Sequence, residues 1–400
     1  MRLVHLSDLH LGYRQYQRLT PGGINQREAD IARTFAVAID RVIALAPDVV
    51  VVAGDVFHSV RPTNQAILHA FLQFGRLVRS LPDSVVVIVA GNHDTPRSTE
   101  TGGILQLFAQ LGISVVDREP TPITLPDRDL YILAVPDVPG SRPDLRPTHR
   151  ARYNVLVLHG DIPGTLAPHV AAADPAALQV SRDDLNIAQW SYVALGHHHV
   201  HSEIAPNAFY SGSIDYTSVD TWGELDEQDK AGLTGKGIIE YDLETAEYVF
   251  HALPAARQLI ELQSFSARGM SVAEVNERIA KLVERCDDDG EGGIDDKIVR
   301  LVIYDLPRHV ARELDHKALR EYKRRALNFQ LDTRRPEPLR LHAASGAPGR
   351  RATLVDFVRE RLMSRTLESD IDRDEMVKRA LAYLTEAENV TLPAAAAADA

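Results

Sequence analysis

The chain has 400 residues, of which 44% are hydrophobic and 25% are charged, a balance typical of globular proteins and not of disordered or fibrous ones. This length accommodates about two or three domains with separate cores. The net charge of −12 at pH 7 excludes a uniformly basic surface, although residues 307–351 hold 12 Lys and Arg residues against 5 Asp and Glu residues.

The cysteine content and the N-terminus indicate a cellular compartment. Cys286 is the only cysteine, so no disulfide can form within the chain and a reducing environment is expected. The N-terminus lacks the apolar core of a signal peptide, and no apolar run is long enough to span a bilayer. We therefore expect a cytoplasmic protein.

The first ~250 residues alternate short apolar runs with helical patterns. The apolar runs predict strands buried on both faces at residues 3–6, 49–53, 85–90, 131–135, 155–158 and 192–195. Helices are predicted at residues 27–45, 63–81 and 103–111. This alternation predicts an α/β fold, in which ligands gather beyond the carboxyl ends of the strands.

The second half of the chain predicts further domains. Residues 237–243 and 248–253 are expected to complete a first domain of residues 1–255 with two antiparallel strands. A small α+β capping domain is predicted for residues 256–340, with strands at 259–263 and 298–304 and helices at 272–285 and 310–325. A linker at 341–352, a helical segment at 353–388 with helices at 354–363 and 374–387, and a disordered tail at 389–400 follow.

Five turns, each directly after an apolar run, contain metal-binding types of side chain. They hold Asp8 and His10; Asp55 and His58; Asn92, His93 and Asp94; His159 and Asp161; and His197, His198 and His199. One such turn occurs often by chance, and a single histidine is more often a core or surface residue. Five of them at strand ends are typical of a metal site.

The types of donor indicate which metals these turns would hold. Imidazole, carboxylate and amide donors without thiolate suit Mn²⁺, Fe²⁺ or Zn²⁺. The donors suffice for two ions, and a shared carboxylate would hold them ~3.5–4 Å apart. Such a pair activates water and stabilises charge on phosphate oxygens, so no nucleophilic side chain is needed. Gly54, Gly91 and Gly196 stand where a strand must turn close to the ions.

The five turns resemble the motifs of calcineurin-like metallophosphoesterases. The resemblance implies a four-layer α/β/β/α sandwich, here with the small α+β capping domain and C-terminal helices. It implies one ion bound by Asp8, His10, Asp55 and His199, and a second bound by Asp55, Asn92, His159 and His197. His93 would be the catalytic histidine, and Asp94 would orient its imidazole.

Finer features resemble the DNA repair nuclease branch of this superfamily, which includes bacterial SbcD. They are the run Gly54–Pro62, the run Tyr210–Asp215 and the sequence Trp222-Gly223-Glu224. This resemblance implies a nuclease with two Mn²⁺ ions, with Mg²⁺, Fe²⁺ or Zn²⁺ as alternatives. It would be a 3′–5′ exonuclease and single-strand endonuclease in double-strand-break repair and recombination, associated with the nucleoid.

The same resemblance implies macromolecular partners. His58 would contact a DNA phosphate, and further DNA contacts are expected from Arg61, Lys317, Arg320 and Arg324. The alternative for the last three is a solvated helix face with Glu313 and Glu321 as partners. Helix 63–81 is mostly core or else pairs two subunits of a homodimer. The C-terminal helices would bind an SbcC-like coiled-coil ATPase or dock on their own chain.

Two other functions remain open at this point. The same metals could serve a small-molecule phosphoesterase that hydrolyses nucleotides or cyclic nucleotides. A non-catalytic binding subunit is the third hypothesis, although every motif residue is present. His198, His201 and Asp161 exceed what the motifs need, and the expectation for the two histidines is a solvent-facing or outer position.

Overall fold

The computed structural model describes residues 1–96, 103–149, 151–165, 178–288, 292–336, 354–364 and 372–389. The chain divides into two compact units, residues 1–336 and residues 337–400. Within the described residues the strands are β1 Arg2–Leu6, β2 Val49–Ala53, β3 Val85–Val89, β4 Ser114–Val116, β5 Thr121–Leu125, β6 Leu130–Val135, β7 Tyr153–His159, β8 Tyr192–Gly196, β9 Ser202–Ala205, β10 Ala208–Tyr210, β11 Gly237–Asp242, β12 Glu247–Ala252, β13 Leu259–Ser266, β14 Ile298–Tyr304 and β15 Asn328–Thr333.

The described helices follow the same chain order. They are α1 Gln26–Leu45, α2 Asn64–Ser80, α3 Thr221–Lys230, α4 Val272–Asp288, α5 Arg308–Arg312, α6 His316–Arg325, α7 Leu354–Met363 and α8 Arg373–Asn389. Three short 3₁₀ helices span Ile104–Leu111, Pro126–Arg128 and Ile187–Gln189. No helix in the described ranges is long and apolar enough to cross a membrane.

Two six-stranded sheets form the centre of the first unit. One has the strand order β12-β11-β1-β2-β3-β4 and the other the order β5-β6-β7-β8-β10-β9. Strands β1, β2, β3 and β4 are parallel neighbours in the first sheet, and β6, β7 and β8 are parallel neighbours in the second. Their uninterrupted apolar sequences follow from burial on both faces of each sheet.

Three apolar layers hold the sheets together. Val51 of β2 and Val157 of β7 lie in the core between the two sheets. Helices α1 and α2 cover the outer face of the first sheet, where Phe35 and Phe74 pack edge to face. The outer face of the second sheet is covered by a segment that includes Trp190. The predicted α/β fold with layered sheets is therefore confirmed.

Local capping explains where the two covering helices begin. The Asn25 side chain accepts a hydrogen bond from the backbone N–H of Arg27 at 3.0 Å, and α1 starts there. The Thr63 hydroxyl accepts one from Ala66 N–H at 3.1 Å, and α2 starts there. Such caps satisfy N–H groups that have no partner inside the helix.

A three-stranded parallel sheet, in the order β13-β14-β15, lies between residues 259 and 333. The prediction of one helix over residues 310–325 is wrong, because the structure has α5 and α6 instead. The Asp315 side chain accepts from the N–H groups of Lys317 and Ala318 and so begins a new helix. Helix α3 and the strands β4, β5, β9, β10 and β15 were absent from the prediction, since each of them is short or mostly polar.

The second unit contains helices α7 and α8, which pack on each other. Their bounds agree with the predicted helices at 354–363 and 374–387 to within two residues at each end. The predicted linker at 341–352 lies outside the described residues, as does the predicted tail apart from Asn389.

Candidate metal centre

The five predicted metal turns meet at one edge of the two facing sheets. Asp8 and His10 follow β1, Asp55 follows β2, and Asn92 follows β3. His159 ends β7, and His197 follows β8. Because these strands are parallel within each sheet, their carboxyl ends lie at a common edge.

Four of the predicted ligands have a left-handed backbone. The φ angles are 53° at Asp8, 45° at His10, 51° at Asp55 and 106° at His197. This conformation is uncommon for residues with a Cβ and costs on the order of 1–3 kcal/mol at each position. Strain of this kind persists where the surrounding structure enforces it, as it does at binding sites.

The glycines of the turns permit the close approach that was expected of them. A Cβ on Gly91 would stand 2.1 Å from Asp55 Oδ1, and one on Gly54, where φ is 90°, would stand 2.1 Å from His159 Nδ1. A Cβ on Gly196 would stand 1.7 Å from the carbonyl oxygen of Ala53. No side chain fits in these places without moving a predicted ligand or a strand end.

One group of donors consists of Asp8, His10 and His199. Their ligand atoms lie within 4.8 Å of one another. The two Nε2 atoms of His10 and His199 are 2.9 Å apart. Two imidazole nitrogens that face each other need a proton or a cation between them, because two lone pairs repel.

A second group consists of Asp8, Asp55 and His159, again within 4.8 Å. His159 Nδ1 donates to the carbonyl oxygen of Ala53 at 2.8 Å, and this bond leaves Nε2 as the ligand-type nitrogen. Nε2 lies 3.0 Å from Asn92 Oδ1. Both of these atoms are acceptors in the neutral state, so a cation between them would relieve their repulsion.

The two donor groups overlap at their carboxylates. Asp55 Oδ2 lies 3.8 Å from His10 Nε2 and 3.5 Å from His159 Nε2, and thus faces one histidine of each predicted site. Asp8 belongs to both groups. The backbone N–H of His197 donates to both carboxylate oxygens of Asp8 at 3.1 Å, and its ring stands 5.5 Å from that of His159. The structure thus brings the seven predicted ligands together.

Burial makes the unliganded site electrostatically unfavourable. Loss of hydration is the main reason that the pKa of Asp8 is raised to about 7; the Asp55 carboxylate also raises it, whereas His159 and the hydrogen bonds from Ser7 and His197 lower it. Burial also lowers the pKa of His10 well below its ordinary value, and the neighbouring histidines add to this effect. Neutral imidazoles and carboxylates that lack hydration are what divalent cations bind, so the donor set fits such ions.

His93 and His58 lie beside these donors, and both are half-buried. Their rings stack with centroids 5.1 Å apart. The Nδ1 atom of His93 is 2.9 Å from the carbonyl oxygen of His58, so Nδ1 carries a hydrogen. His58 Nδ1 in turn lies 3.3 Å from His10 Nδ1.

The position of Asp94 differs from the expectation that it orients the imidazole of His93. Its carboxylate accepts hydrogen bonds from the backbone N–H groups of Val56, Phe57 and Gly91 at 3.0, 2.9 and 3.2 Å. The group that faces His93 Nδ1 is the His58 carbonyl. Asp94 therefore joins the turn after β3 to the turn after β2, because each turn had N–H groups that needed an acceptor.

The residues that were predicted to contact DNA lie outside the metal turns, apart from His58. Arg61 is exposed after β2, and Lys317, Arg320 and Arg324 are exposed on α6. Arg324 pairs with Glu321 at 2.6 Å, which agrees with the alternative to DNA contact, a solvated helix face with Glu321 as a partner.

Of the histidines beyond the motifs, His198 is buried and His201 is half-buried. His198 is 8% exposed, and its Nε2 lies 3.8 Å from a carboxylate oxygen of Glu227. The His201 ring stacks on Phe250 at 4.7 Å. Asp161 is also buried, and loss of hydration raises its pKa.

Two residues at the centre were missed by reasoning from sequence. The Ser7 hydroxyl donates to Asp8 Oδ2 at 2.5 Å, and Lys236 Nζ donates to the carbonyl oxygen of His199 at 2.7 Å. Adjacency to Asp8 was a signal for Ser7. Lys236 stands 37 residues from His199, and nothing in the local pattern distinguishes it.

Comparison with known proteins agrees with this geometry. The calcineurin-like phosphoesterase family model matches residues 1–201. The DNA double-strand break repair protein Mre11 of Methanococcus maripaludis is 26% identical over 265 residues, which cover 62% of this chain and 66% of that protein. The protein of the same name from Sulfurisphaera tokodaii is 31% identical over 206 residues, 50% of this chain and 49% of that protein.

A shorter match has a higher identity. The Mre11 protein of Methanocaldococcus jannaschii is 40% identical over 97 residues, 24% of each chain. In each of these three comparisons the chain spans less than two thirds of its relative. The family match over half of the chain, together with the converging donors, shows that the chain belongs to the calcineurin-like phosphoesterase family.

Proposed function

We propose that the chain is a two-metal, manganese-dependent nuclease that hydrolyses phosphodiester bonds in DNA during double-strand-break repair. The observation that carries this proposal is the convergence of donors from five turns into overlapping groups, of which two contain Asp8 and a third joins His10 to His58 and His93. The relatives named as DNA double-strand break repair proteins support DNA as the substrate. Such a role would place the protein on the nucleoid.

The ligand assignment is the one that the family motifs imply, and the donor groups that contain Asp8 support it. Asp8, His10, Asp55 and His199 would hold one ion, and Asp55, Asn92, His159 and His197 would hold the other. When bound, the ions would supply activation of water and neutralisation of charge on the phosphate oxygens. Asp55 is suited to the shared position, because its Oδ2 faces a histidine of each group.

The histidines beside the ions would handle the leaving group and the substrate. Since Nδ1 of His93 is engaged by the carbonyl of His58, the proton that reaches the leaving oxygen would come from Nε2. His58 stacks on this ring, and we assign it a contact with a DNA phosphate. Asp94 would act indirectly, by holding together the backbone turns that carry His93 and Asp55.

The partners of this nuclease are part of the proposal. DNA would extend from the metal centre over Arg61 and the basic face of α6, in a capping domain of residues 256–340. Helices α7 and α8 would bind an SbcC-like coiled-coil ATPase, which would supply ATP hydrolysis. Helix α2 would pair two copies in a homodimer, because Leu68 and Leu72 are 59% and 54% exposed on one face of it.

The nuclease proposal is tested by digestion of labelled DNA. Wild-type protein with Mn²⁺ should shorten double-stranded DNA from its 3′ ends and should open circular single-stranded DNA, whereas chelation should abolish both activities. His93→Ala should reduce cleavage about 10²–10⁴-fold, the usual contribution of a general acid. His251→Gln on β12, whose ring bonds to Glu240 outside the metal turns and outside α2, is the matched control and should cleave DNA as wild type does.

Two results would reject the proposal. Equal cleavage by wild type and His93→Ala would exclude the assigned role of His93. Hydrolysis of nucleotides or cyclic nucleotides without any cleavage of DNA would favour the small-molecule phosphoesterase instead.

A further inference from the structure

Helix α3 lies between the metal centre and the β13-β14-β15 sheet and contacts both. Its first turn contains the sequence Trp222-Gly223-Glu224, for which the proposed mechanism has no role. Trp222 and Glu224 are 6% exposed each. Residues two apart on a helix project in nearly opposite directions, so the two buried side chains serve different neighbours.

Glu224 lies behind His199. Its Oε1 is 4.0 Å from His199 Nδ1, and its carboxylate is in contact with Lys236 Nζ. Lys236 also donates to the carbonyl oxygen of His199 at 2.7 Å, and Ser213 N–H donates to the same oxygen at 3.0 Å. The Glu224–Lys236 pair therefore contacts both the ring and the backbone of His199.

The two ring nitrogens of His199 face different groups. Nε2 faces His10 Nε2 at 2.9 Å, and Nδ1 is on the side of Glu224. At 4.0 Å the Glu224 carboxylate is too far from Nδ1 to accept a hydrogen bond, so it acts on the ring through its charge and on the backbone of His199 through Lys236. Loss of an outer carboxylate that is hydrogen-bonded to the ligand weakens metal binding about 10–100-fold, so the lower end of that range, about tenfold, is expected for Glu224.

Trp222 contacts the three-stranded sheet. Its Nε1 donates to Gln330 Oε1 on β15 at 3.1 Å, and the Arg300 guanidinium of β14 lies 4.7 Å from its ring centroid. The indole also packs in an apolar cluster with Ile298 and Leu327. These contacts hold the first turn of α3 against the sheet.

We propose that Trp222 and Glu224 act as positioning residues, through which docking of the β13-β14-β15 sheet sets the affinity of one metal ion. That ion is the one assigned to Asp8, His10, Asp55 and His199, so the inference rests on the proposed two-metal function. The second ion has no ligand in contact with Glu224 among those assigned to it alone, and its affinity should not change. DNA that binds α6, which contacts β15, would thereby influence metal occupancy.

The test is a titration of metal-free, full-length protein with Mn²⁺, followed by calorimetry and by electron paramagnetic resonance of the bound ions. Wild type should bind two ions that are magnetically coupled. Glu224→Gln should weaken one site about tenfold and leave the other unchanged. Trp222→Phe keeps an aromatic ring at this position but loses the hydrogen bond from the indole Nε1 to Gln330. It should weaken the same site about fivefold.

Two control variants separate positioning from folding. Glu224→Gln combined with Lys236→Met removes both buried charges, so the metal-free fold should keep its stability while the weaker site stays weak. Trp190→Phe loses a comparable buried bond, from Nε1 to the carbonyl oxygen of Leu185, on the outer side of the second sheet. This control should bind both ions as wild type does.

The outcomes distinguish the two proposals. If wild type fails to bind two ions, the two-metal function itself is rejected. If wild type binds two ions and the Glu224 variants bind them equally well, the positioning role is wrong and the two-metal function stands. If Trp222→Phe behaves like Trp190→Phe, the link from the sheet to the ion is overturned.

Discussion

Individual residues of the metal centre are held in conformations that they would not adopt alone. Asp8, His10 and Asp55 have positive φ angles, and Asp8 has lost most of its hydration. Backbone bonds enforce this arrangement, since Asp8 N–H donates to the Gly54 carbonyl at 3.0 Å and His10 N–H to the Asp55 carbonyl at 2.9 Å. Bound cations would offset part of the strain, so metal removal should lower the stability of the protein.

Gly91 tests how tightly the donors are constrained. We predict that Gly91→Ala weakens Mn²⁺ binding at least tenfold, because the new Cβ would displace Asp55 Oδ1, from which it would be only 2.1 Å away. Overpacking of this kind also costs about 1–3 kcal/mol in the free energy of unfolding. Gly22→Ala is the control, since its Cβ would meet nothing closer than 3.8 Å. Calorimetric titration that gave wild-type affinity for Gly91→Ala would contradict the packing argument.

His5 makes the stability of the protein depend on pH. Burial lowers the pKa of His5 to about 3, and the nearby His201 adds to this effect. The unfolded chain binds a proton at His5 near pH 6.5, but the folded chain does so only near pH 3. The contribution of neutral His5 is therefore complete above pH 6.5 and is lost as the pH falls from 6.5 towards 3.

We predict that His5→Asn reduces this dependence. Asparagine offers a polar atom near the position of Nδ1, which lies 3.0 Å from the Tyr192 hydroxyl, but it does not titrate. When the pH falls from 7.5 to 5.5, the free energy of unfolding of metal-free wild type should decrease by about 1.4 kcal/mol more than that of the variant. Urea unfolding at the two pH values measures this difference. An equal loss in both proteins would exclude His5 as the cause.

At the scale of elements, the basic side of α6 is the clearest candidate for a phosphate contact. Lys317 and Arg320 are exposed three residues apart, and so they lie on one face of the helix. Arg324 contributes less positive charge to that face, because Glu321 pairs with it. The overall charge of −12 makes such a local surface necessary if the chain is to hold DNA.

We predict that Lys317→Gln combined with Arg320→Gln weakens DNA binding to about the same extent for all DNA sequences, because these side chains would contact phosphates and not bases. Each lost phosphate contact should reduce the slope of log affinity against log salt concentration by about 1. Fluorescence anisotropy in the absence of divalent metal measures this slope without cleavage. Arg268→Gln is the matched control, because that exposed arginine pairs with Asp305 at 3.2 Å. Parallel plots for wild type and the double variant would assign α6 to the solvated alternative.

At the scale of the whole molecule, the outer surface of α1 and α2 is unusually apolar. A cavity of about 420 Å³ lies there, lined by Ala29, Ala32 and His69 as well as by Leu68 and Leu72. A second copy of the chain would bury both exposed leucines and bring two metal centres onto one DNA molecule.

We predict that Leu68→Glu combined with Leu72→Glu converts a dimer into a monomer. A charged side chain at a packed apolar interface is left without a partner, so association should weaken by at least two orders of magnitude. Light scattering coupled to size-exclusion chromatography measures the mass. Leu19→Glu is the control, since Leu19 is equally exposed, at 59%, but lies outside both helices. A wild-type monomer would refute the homodimer.

The sequence by itself determined ten of the fifteen strands in the described part of the first unit, helices α1, α2 and α4, and the residues of the metal turns. Apolar runs such as residues 49–53 form buried strands because they contain no polar side chain that is suited to a position exposed to water. The metal turns were recognisable because each one follows such a run, and parallel strands must end at the same edge.

Only the tertiary structure decided which distant groups meet. Glu224 stands 25 positions after His199, and Gln330 stands 108 positions after Trp222, yet each pair is in contact. Local periodicity and polarity report how one segment meets water or core, and they carry no information on which segment packs beside it. The partners of Asp94 and the link from α3 to the three-stranded sheet therefore depended on packing between remote parts of the chain.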